Sequence, residues 1–389
     1  MVESVVAQLP KHIGDTHFDL LTTYPTQDAQ RLPRDASVDV VGLEPLRLAL
    51  IEIPVAVLAR LARFLRLPLG WVRTRASRAI LDADVVVDVA GISFADGRGI
   101  PITVYNALMT GLPLLLGTPT VKAAQAMGPF RTQPNRLLAG IVLPHLSAIC
   151  ARGAKTRDHL NSLSLSHVVD VADLAFSLDE AAALPVHVQA QLDGINGEFI
   201  VVMPSAVVKK LFEKDGREYV SSMVELIRQL RESLGVSVVI APHSYRQNQP
   251  EGRMNDGPVC REITAACSEI GGVIGIDADL TAGELRRLIS RGQVLVTSRF
   301  HAMISGLATC TPTVVVGWSH KYREVLDDFG LVEFGMDSSE LESPQNIVGK
   351  VVDAHSRRDA LARQIAEQLP KVQERSLRNF TTIASVVQA

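Results

Sequence analysis

The sequence predicts an α/β fold with two Rossmann-like domains, each built on a parallel sheet. With 389 residues the chain is too long for one ordinary hydrophobic core and long enough for two. Short β-branched runs alternate with segments of helix length, which is the pattern of parallel sheets covered by helices. Several of these runs are apolar throughout and end in Gly, Ser, Pro or His. Ligand-binding loops are therefore expected after the strands.

The first domain is predicted over residues 1–185. Its strand-like runs lie at 17–25, 38–42, 84–91, 112–117, 146–153 and 167–174. Between Ser177 and Gly197 the chain has no strong periodicity and carries charges, Pro185 and two glycines. This composition predicts the linker between the domains.

The second domain is predicted over residues 198–345. Its strand-like runs lie at 198–205, 236–243, 272–277, 294–298 and 311–317. Thr281 and Glu284 form a capping-box pattern ahead of an apolar helical segment, and Gly235 is placed to end the preceding helix. Residues 346–389 are predicted as two C-terminal helices separated near Pro370.

Residues 46–78 are unusually basic, with seven arginines against a single glutamate and apolar residues at helical spacing between them. Pro54 and Pro68 limit this stretch to two or three short helical pieces. One interpretation is a core helix whose arginines face water. The other, favoured by Trp71 beside the arginines, is a peripheral contact with an anionic membrane surface.

Composition and charge narrow the class of protein. The formal net charge is -3 with no lysine-rich tail, which argues against a nucleic-acid partner. The four cysteines are scattered, and there is no secretory leader or long uncharged apolar stretch. A cytoplasmic protein is therefore predicted. If residues 46–78 dock on a membrane, the protein is expected at the inner face of the cell membrane. No metal-ligand spacing, dinucleotide fingerprint or P-loop is present, so neither a metal nor a bound cofactor is expected.

The most informative stretch carries polar groups after two buried strands. The run 294–297 leads into Ser298, Arg299 and His301 and then into a helix of small residues, and the run 313–317 is followed by Lys321. Backbone N–H groups at a helix N-terminus, an arginine and a histidine together suit a phosphate or carboxylate, to which Lys321 adds a point charge. The tetrapeptide Ser-Arg-x-His alone is common by chance. The longer pattern of strands, helices and polar residues over 293–331 is therefore needed to assign a function.

The string from 293 to 331 is similar to the signature of the polysaccharide pyruvyl transferase family. Further segments resemble the family at the glycine-containing loop 88–99, the following strand and helix entry 112–130, the R-x-x-x-T-R-D element 152–158, and the P-H-S and N-D positions 242–244 and 255–256. Two features depart from the pattern. The chain starts at a helix where family members usually have a first strand, so either the true start lies upstream or this domain lacks that strand. Ala90 and Gly91 stand where many relatives have two glycines.

The resemblance implies a GT-B-like fold, with the two sheets facing a cleft, and by analogy with other two-domain transferases the C-terminal helices pack back on the first domain. It implies transfer of the pyruvyl group of phosphoenolpyruvate to a glycan or lipid-linked sugar, forming a ketal and releasing phosphate. In this reaction His301 is the general acid, and Arg299, next to Ser298, binds the donor. The further candidates for substrate contacts are Lys321, His243, Arg98, Arg152, Arg246 and, for the acceptor hydroxyl, Asp96.

Two other functions remain open at this point. A GT-B glycosyltransferase would hold a nucleotide sugar on the same architecture, although no base-stacking or ribose-binding loop is evident in the sequence. A non-catalytic paralogue would serve as a binding or scaffolding subunit, against which the intact Ser298, Arg299 and His301 argue. For each charged candidate other than Arg299, a surface charge or local ion pair is the alternative role.

Overall fold

A computed structural model describes residues 1–32, 37–178, 182–246, 255–317 and 320–389. The chain forms two compact units, residues 1–178 with 373–389 and residues 179–372. Each unit is α/β and contains a parallel sheet, which confirms the predicted fold class. Asp179 and Glu180, in the predicted linker, lie outside the described residues.

The first unit opens with two short helices and then alternates strands and helices. Its elements are α1 (Val2–Gln8), α2 (Pro10–Ile13), β1 (Phe18–Thr22), α3 (Pro25–Arg31), β2 (Val38–Gly42), α4 (Pro45–Arg47), a π-helical turn (Leu48–Glu52), α5 (Ile53–Phe64), α6 (Arg75–Asp82), β3 (Val86–Asp88), β4 (Ile92–Ala95), α7 (Ile100–Leu116), β5 (Thr120–Gly128), α8 (Gln133–Val142), β6 (Ala148–Arg152), α9 (Ala154–Asn161) and β7 (Val168–Val171), with 3₁₀ turns at Leu143–His145 and Leu174–Ser177.

All strand pairs of the first unit are parallel. The main sheet has the order β3-β5-β6-β7, with β4 also paired to β5, while β1 and β2 form a separate pair. Both faces of β5 and β6 are buried, as expected for the centre of a covered parallel sheet. Phe380 and Ile383, near the C-terminus, join the core of this unit against β5 and β6.

One predicted strand of the first unit is a helix. Residues 112–117 were predicted to be extended, but Leu112 to Leu116 form the last turn of α7. Leu112 and Leu116 lie one turn apart and are both buried on the same helical face, and Gly117 ends the helix in the left-handed conformation at φ 80°. A short apolar run fits a buried strand or a buried helical face equally well, and here the helix formed.

The second unit also alternates strands and helices over most of its length, with two consecutive helices after its first strand and two at its end. Its elements are α10 (Val186–Asp193), β8 (Phe199–Met203), α11 (Ala206–Lys214), α12 (Tyr219–Leu234), β9 (Ser237–Ile240), α13 (Gly257–Ala266), β10 (Val273–Gly275), α14 (Ala282–Ser290), β11 (Leu295–Thr297), α15 (Phe300–Ala308), β12 (Thr313–Gly317), α16 (His320–Asp328), β13 (Gly335–Asp337), α17 (Gln345–Ser356) and α18 (Arg358–Val387), with 3₁₀ turns at Val332–Phe334 and Ser338–Glu342.

The sheet of the second unit is parallel, with the order β10-β9-β8-β11-β12-β13. The capping box of Thr281 and Glu284 opens α14, and Gly235 ends α12 at φ 69°, so both predicted helix signals are confirmed. Successive strands are added outward from β8 in one direction and from β11 in the other. The order of addition therefore reverses between β8 and β11, which is where open α/β sheets bind their ligands.

The two C-terminal helices are divided at Arg357 and not near Pro370. Arg357 is the C-cap of α17, and α18 continues through Pro370 to Val387. A proline removes one backbone donor, and a helix of 30 residues retains most of its other hydrogen bonds. The last part of α18, from Gln373, belongs to the first unit, whereas α17 and the preceding part of α18 belong to the second. The predicted packing of the C-terminal helices on the first domain is therefore correct only for the last part of α18.

Candidate active site

The loops that follow β8, β9 and β11 are joined by one carboxylate, that of Asp256. This side chain is fully buried and accepts hydrogen bonds from the backbone N–H of Ala206 at 2.9 Å and of Ser244 at 3.1 Å. It also accepts a hydrogen bond from the guanidinium of Arg299. Because Ala206 follows β8, Ser244 follows β9 and Arg299 follows β11, Asp256 fixes the three loops relative to one another.

Opposing influences act on the pKa of Asp256. Burial raises the pKa, while the guanidinium of Arg299 and the two backbone N–H groups lower it, and the net result lies above the usual value of a carboxyl group. The ionised form therefore depends on Arg299. In turn, Asp256 orients the guanidinium at the N-cap of α15.

Two histidines meet beside Arg299. The rings of His243, after β9, and His301, in the first turn of α15, are stacked with centroids 6.5 Å apart and an interplanar angle of 16°. Burial, followed by the nearby charges of His301 and Arg299, lowers the pKa of His243 to about 3. His243 is therefore neutral at neutral pH and packs its ring against that of His301.

Aromatic contacts hold the start of α15. The hydroxyl of Tyr322 donates a hydrogen bond to the carbonyl of Ser298 at 3.0 Å. The ring of Phe300 contacts both Tyr322 and His301 edge-on, at centroid distances of 5.6 and 5.5 Å. The ammonium of Lys321 lies 4.8 Å from the ring centroid of Phe300, the residue that precedes His301, so the predicted cation after β12 contacts the first turn of α15.

Arg246 lies on the loop that also carries His243. Its backbone N–H donates to the side-chain oxygen of Asn255 at 3.0 Å, and its carbonyl accepts from the side-chain nitrogen of Asn255 at 3.1 Å. Residues 247–254, between these partners, lie outside the described residues. Six predicted site residues thus lie on the strand-end loops and helix starts of the second sheet: Ser298, Arg299, His301, Lys321, His243 and Arg246.

The three predicted site residues in the first unit have well-defined local partners. Arg152, at the end of β6, is buried and pairs with the fully buried Asp173 at 2.5 Å. Asp173 also caps the 3₁₀ turn Leu174–Ser177 through the N–H of Ala175. Arg98 donates to the carbonyl of Ile92 at 3.3 Å.

Asp96, the predicted acceptor-binding residue, follows β4, and its side chain contacts the segment that leads into α8. Its carboxylate accepts hydrogen bonds from the N–H of Arg131 at 2.6 Å, from the N–H and hydroxyl of Thr132, and from the side-chain nitrogen of Asn135 at 2.8 Å. Partial burial raises the pKa of Asp96, but these hydrogen bonds outweigh it and the net pKa is lowered. Asp96 thus anchors the segment Arg131–Thr132, which leads into α8, and the side chain of Asn135 in the first turn of α8.

A buried ion pair in the first unit was missed by the sequence interpretation. The ammonium of Lys122, inside β5, lies 2.5 Å from the carboxylate of Asp88, which ends β3. The side-chain amide of Gln125 donates to the carbonyl of Asp88, and the N–H of Ala90 donates to its side chain. Burial raises the pKa of Asp88, but Lys122 and these donors bring it below its usual value. A lysine inside an otherwise uncharged strand was the available signal.

Within the described part of the chain, one group of ligand-type side chains gathers closely enough to hold a metal ion. His17, Asp19 and Asp39 bring their ligand atoms within 4.8 Å of one another on β1 and β2, and all three are exposed. Exposed acidic groups commonly gather in this way, and we assign no metal site to them.

Each unit is an α/β unit with a parallel main sheet, and basic and histidine side chains lie where the order of strand addition reverses in the second sheet. These features are those of a GT-B-like α/β protein. Among solved structures, the chain is similar to UDP-GlcNAc 2-epimerase from Neisseria meningitidis, with a TM-score of 0.58, 13% identity and coverage of 99% of this chain and 96% of the other. It is also similar to an α,α-trehalose-phosphate synthase from Burkholderia vietnamiensis, with a TM-score of 0.55, 11% identity and coverage of 96% and 100%. At these identities the similarity establishes the fold alone.

The chain belongs to the polysaccharide pyruvyl transferase family, whose model matches residues 1–320. It is 21% identical to the amylovoran biosynthesis protein AmsJ of Erwinia amylovora, over 98% of this chain and 94% of that protein. The protein is therefore a transferase of this family. Across the described residues, none of the helices combines the length and apolarity needed to cross a bilayer.

Proposed function

We propose that the protein transfers the pyruvyl group of phosphoenolpyruvate to a sugar of an extracellular polysaccharide or its lipid-linked precursor, as a ketal. The family supports pyruvyl transfer, and the similarity to a protein of amylovoran biosynthesis supports a polysaccharide acceptor. In this proposal the donor binds on the loops after β9, β11 and β12 of the second sheet. The polar residues of these loops include two cations, Arg299 and Lys321, which suit an anionic donor.

The observation that carries the proposal is the placement of Arg299 by Asp256. The buried carboxylate orients the guanidinium at the N-terminus of α15, two residues before His301. A fixed arginine and the first backbone N–H groups of a helix provide donors for a phosphate or carboxylate. The donor would thus bind next to a histidine that can reach its reacting carbons.

The chemistry requires a proton donor, and we assign this role to His301. His243, with a pKa of about 3, carries no proton to give near neutral pH, so the role falls to His301. His301 donates a proton to the methylene carbon of phosphoenolpyruvate, which makes the adjacent carbon electrophilic. One sugar hydroxyl adds to that carbon and its proton returns to His301.

Loss of phosphate and addition of the second hydroxyl then complete the ketal, and the second hydroxyl proton leaves with the phosphate. The methylene carbon of the donor becomes a methyl group by gaining a proton, so no electrons are gained or lost overall. Proton transfer and addition need neither a redox centre nor a group carrier, and we accordingly propose no bound cofactor.

The test is acceptor-dependent release of phosphate from phosphoenolpyruvate by the full-length protein, with a panel of glycans and lipid-linked sugars. His301→Ala and Arg299→Ala are compared with His187→Ala and Arg287→Ala, two exposed residues of the second unit. We expect His301→Ala to lower turnover at least about 100-fold, the usual scale of a lost general acid. Arg299→Ala should chiefly raise KM for the donor, and both control variants should match wild type.

Binding of the donor is measured separately, by the thermal shift that phosphoenolpyruvate produces. If phosphoenolpyruvate neither shifts the melting temperature nor is consumed, while a nucleotide sugar does both, the donor assignment is wrong and the protein is a glycosyltransferase. If neither ligand binds and the protein instead captures other glycan-assembly proteins, a scaffolding role replaces the proposal.

A further inference from the structure

The basic segment of the first unit folds into one helical run from Pro45 to Phe64. Pro54 does not interrupt it, because Pro54 occupies the first turn of α5, directly after the π-helical turn, where its missing N–H costs little. The inner side of the run carries small side chains, Ala56, Ala59 and Ala62, which are buried. They allow α5 to pack closely on α7, and the guanidinium of Arg63 lies against Gly117 at the end of α7.

The outer side of this run is apolar, unlike that of an ordinary surface helix. Phe64 is 84% exposed and Leu50 is 72% exposed. Of the nineteen large apolar side chains that are exposed in the described part of the chain, ten lie in this segment. We call them the 46–71 face: Leu46, Leu50, Ile51, Val57, Leu58, Leu61, Phe64, Leu65, Leu67 and Trp71. A concentration of this kind marks an interaction surface.

The exposed charged side chains of residues 46–78 are all arginines. The only acid between residues 46 and 78, Glu52, is fully buried. Its carboxylate accepts hydrogen bonds from Arg47 at 3.1 Å, Thr74 at 2.7 Å and Ser77 at 2.6 Å. Burial raises the pKa of Glu52, but these hydrogen bonds lower it by a larger amount, and the net pKa is below the usual value. Glu52 therefore stays ionised, and its charge is neutralised by Arg47. The exposed arginines of the segment include Arg60, Arg63, Arg66, Arg73 and Arg75.

We propose that the 46–71 face docks on a membrane that contains anionic lipid, with the helical run lying in the plane of the interface. Apolar side chains beside arginines are the two components of interfacial binding, one entering the boundary of the acyl chains and the other pairing with anionic headgroups. Trp71 has the ring type that favours this boundary. None of the described helices is both long and apolar enough to cross a bilayer, and the inner side of the run is already packed on α7, which leaves the in-plane orientation.

The competing occupant of this face is a second copy of the chain, which would cover the same apolar side chains. Five exposed arginines would then face the partner's arginines or lie at the rim of the interface, where like charges repel. An anionic lipid surface satisfies both the apolar and the basic groups. The charge complementarity therefore favours the membrane.

The test is flotation of the full-length protein with vesicles of phosphatidylcholine alone and with vesicles in which about a third of the lipid is phosphatidylglycerol. Leu58→Ser with Phe64→Ser removes the apolar component, and Arg60→Gln with Arg66→Asn removes two charges. The matched control is Leu137→Ser with Ile141→Ser, an exposed apolar pair on α8 of the same unit. Circular dichroism and thermal unfolding verify that each variant is folded.

We expect wild type and the α8 control to float with the anionic vesicles, more strongly at low salt. The Leu58 and Phe64 variant should bind at least tenfold less, and the arginine variant should lose most of its preference for anionic lipid. Absence of wild-type binding at low salt overturns the proposal. A sedimentation-velocity dimer that dissociates in the Leu58 and Phe64 variant, without vesicle binding by wild type, assigns the face to self-association instead. The vesicle measurement involves no donor or acceptor, so its result is independent of the proposed reaction.

Discussion

Asp256 binds the guanidinium of Arg299 across 43 residues of sequence and is itself held by the loops after β8 and β9. The arginine expected to bind the donor is therefore positioned by a carboxylate that makes no contact with the solvent. Substrate affinity and local stability should depend together on this one pair.

Asp256→Asn removes the charge that Arg299 faces while retaining a side chain of the same size. Breaking a buried ion pair from one side costs about 3–5 kcal/mol, so we expect a lower free energy of unfolding together with a raised KM for phosphoenolpyruvate. Urea denaturation and steady-state kinetics measure the two effects. Glu232→Gln, which breaks an exposed pair with Arg228, should change either quantity little. Unchanged stability and KM in Asp256→Asn would contradict this role.

His243 should make the protein less stable in acid. Its pKa is about 3 in the folded protein and near 6.5 when unfolded, so the unfolded state binds the additional proton. The contribution of neutral His243 to the free energy of unfolding is complete above pH 6.5. It is lost as the pH falls towards 3, by about 1.4 kcal/mol per pH unit. His243→Asn should remove this part of the slope in urea denaturation between pH 7 and pH 5. The exposed His187→Asn should retain it, and equal slopes in wild type and His243→Asn would refute the prediction.

Asp96→Ala should lower stability more than it lowers turnover. Loss of the hydrogen bonds that Asp96 accepts costs about 1 kcal/mol, and turnover with phosphoenolpyruvate should stay within a few-fold of wild type. Thermal unfolding and phosphate release measure the two effects, with the exposed Asp82→Ala as control. A turnover loss of about 100-fold at unchanged stability would instead assign Asp96 to the acceptor hydroxyl.

Lys122→Met should destabilise the first unit because Asp88 would lose its charged partner, and by less than the about 3–5 kcal/mol of a fully buried pair, since the Asp88 side chain is 23% exposed. Combining it with Asp88→Asn should restore part of that loss, since neither ion would remain. The coupling energy from a double-mutant cycle in urea measures the interaction. Additive effects of the two substitutions would show that the pair contributes no specific stabilisation.

Much of the fold could be predicted because buried strands of parallel sheets are continuous apolar runs. Each of the five runs predicted in the second domain contains an observed strand. The failures have physical causes. The run 112–117 is apolar in either conformation, and the strand that follows it, β5, carries Lys122 and Gln125 and little β-branched character. Neither segment shows its conformation in its local sequence.

The grouping of the candidate site residues could be predicted where one short segment carries them. Ser298, Arg299 and His301 are contiguous with a strand and a helix start, and the spacing indicates their proximity. The partners that position these residues come from distant segments, as Asp256 does for Arg299, and Lys122 pairs with Asp88 across 34 residues. Packing of the whole sheet brings such pairs together, so no local pattern could identify them.

The hydrogen bonds of Glu52 also determine how the 46–71 face is presented. By bonding Thr74 and Ser77 as well as Arg47, Glu52 connects the helical run Pro45–Phe64 to the start of α6. The face is therefore preorganised before it meets any partner. Many interfacial helices are disordered in solution and lose conformational entropy on folding at the surface, which subtracts from their affinity. Here that entropy is lost when the unit folds, so association should be rapid and should leave the helical content of the protein unchanged.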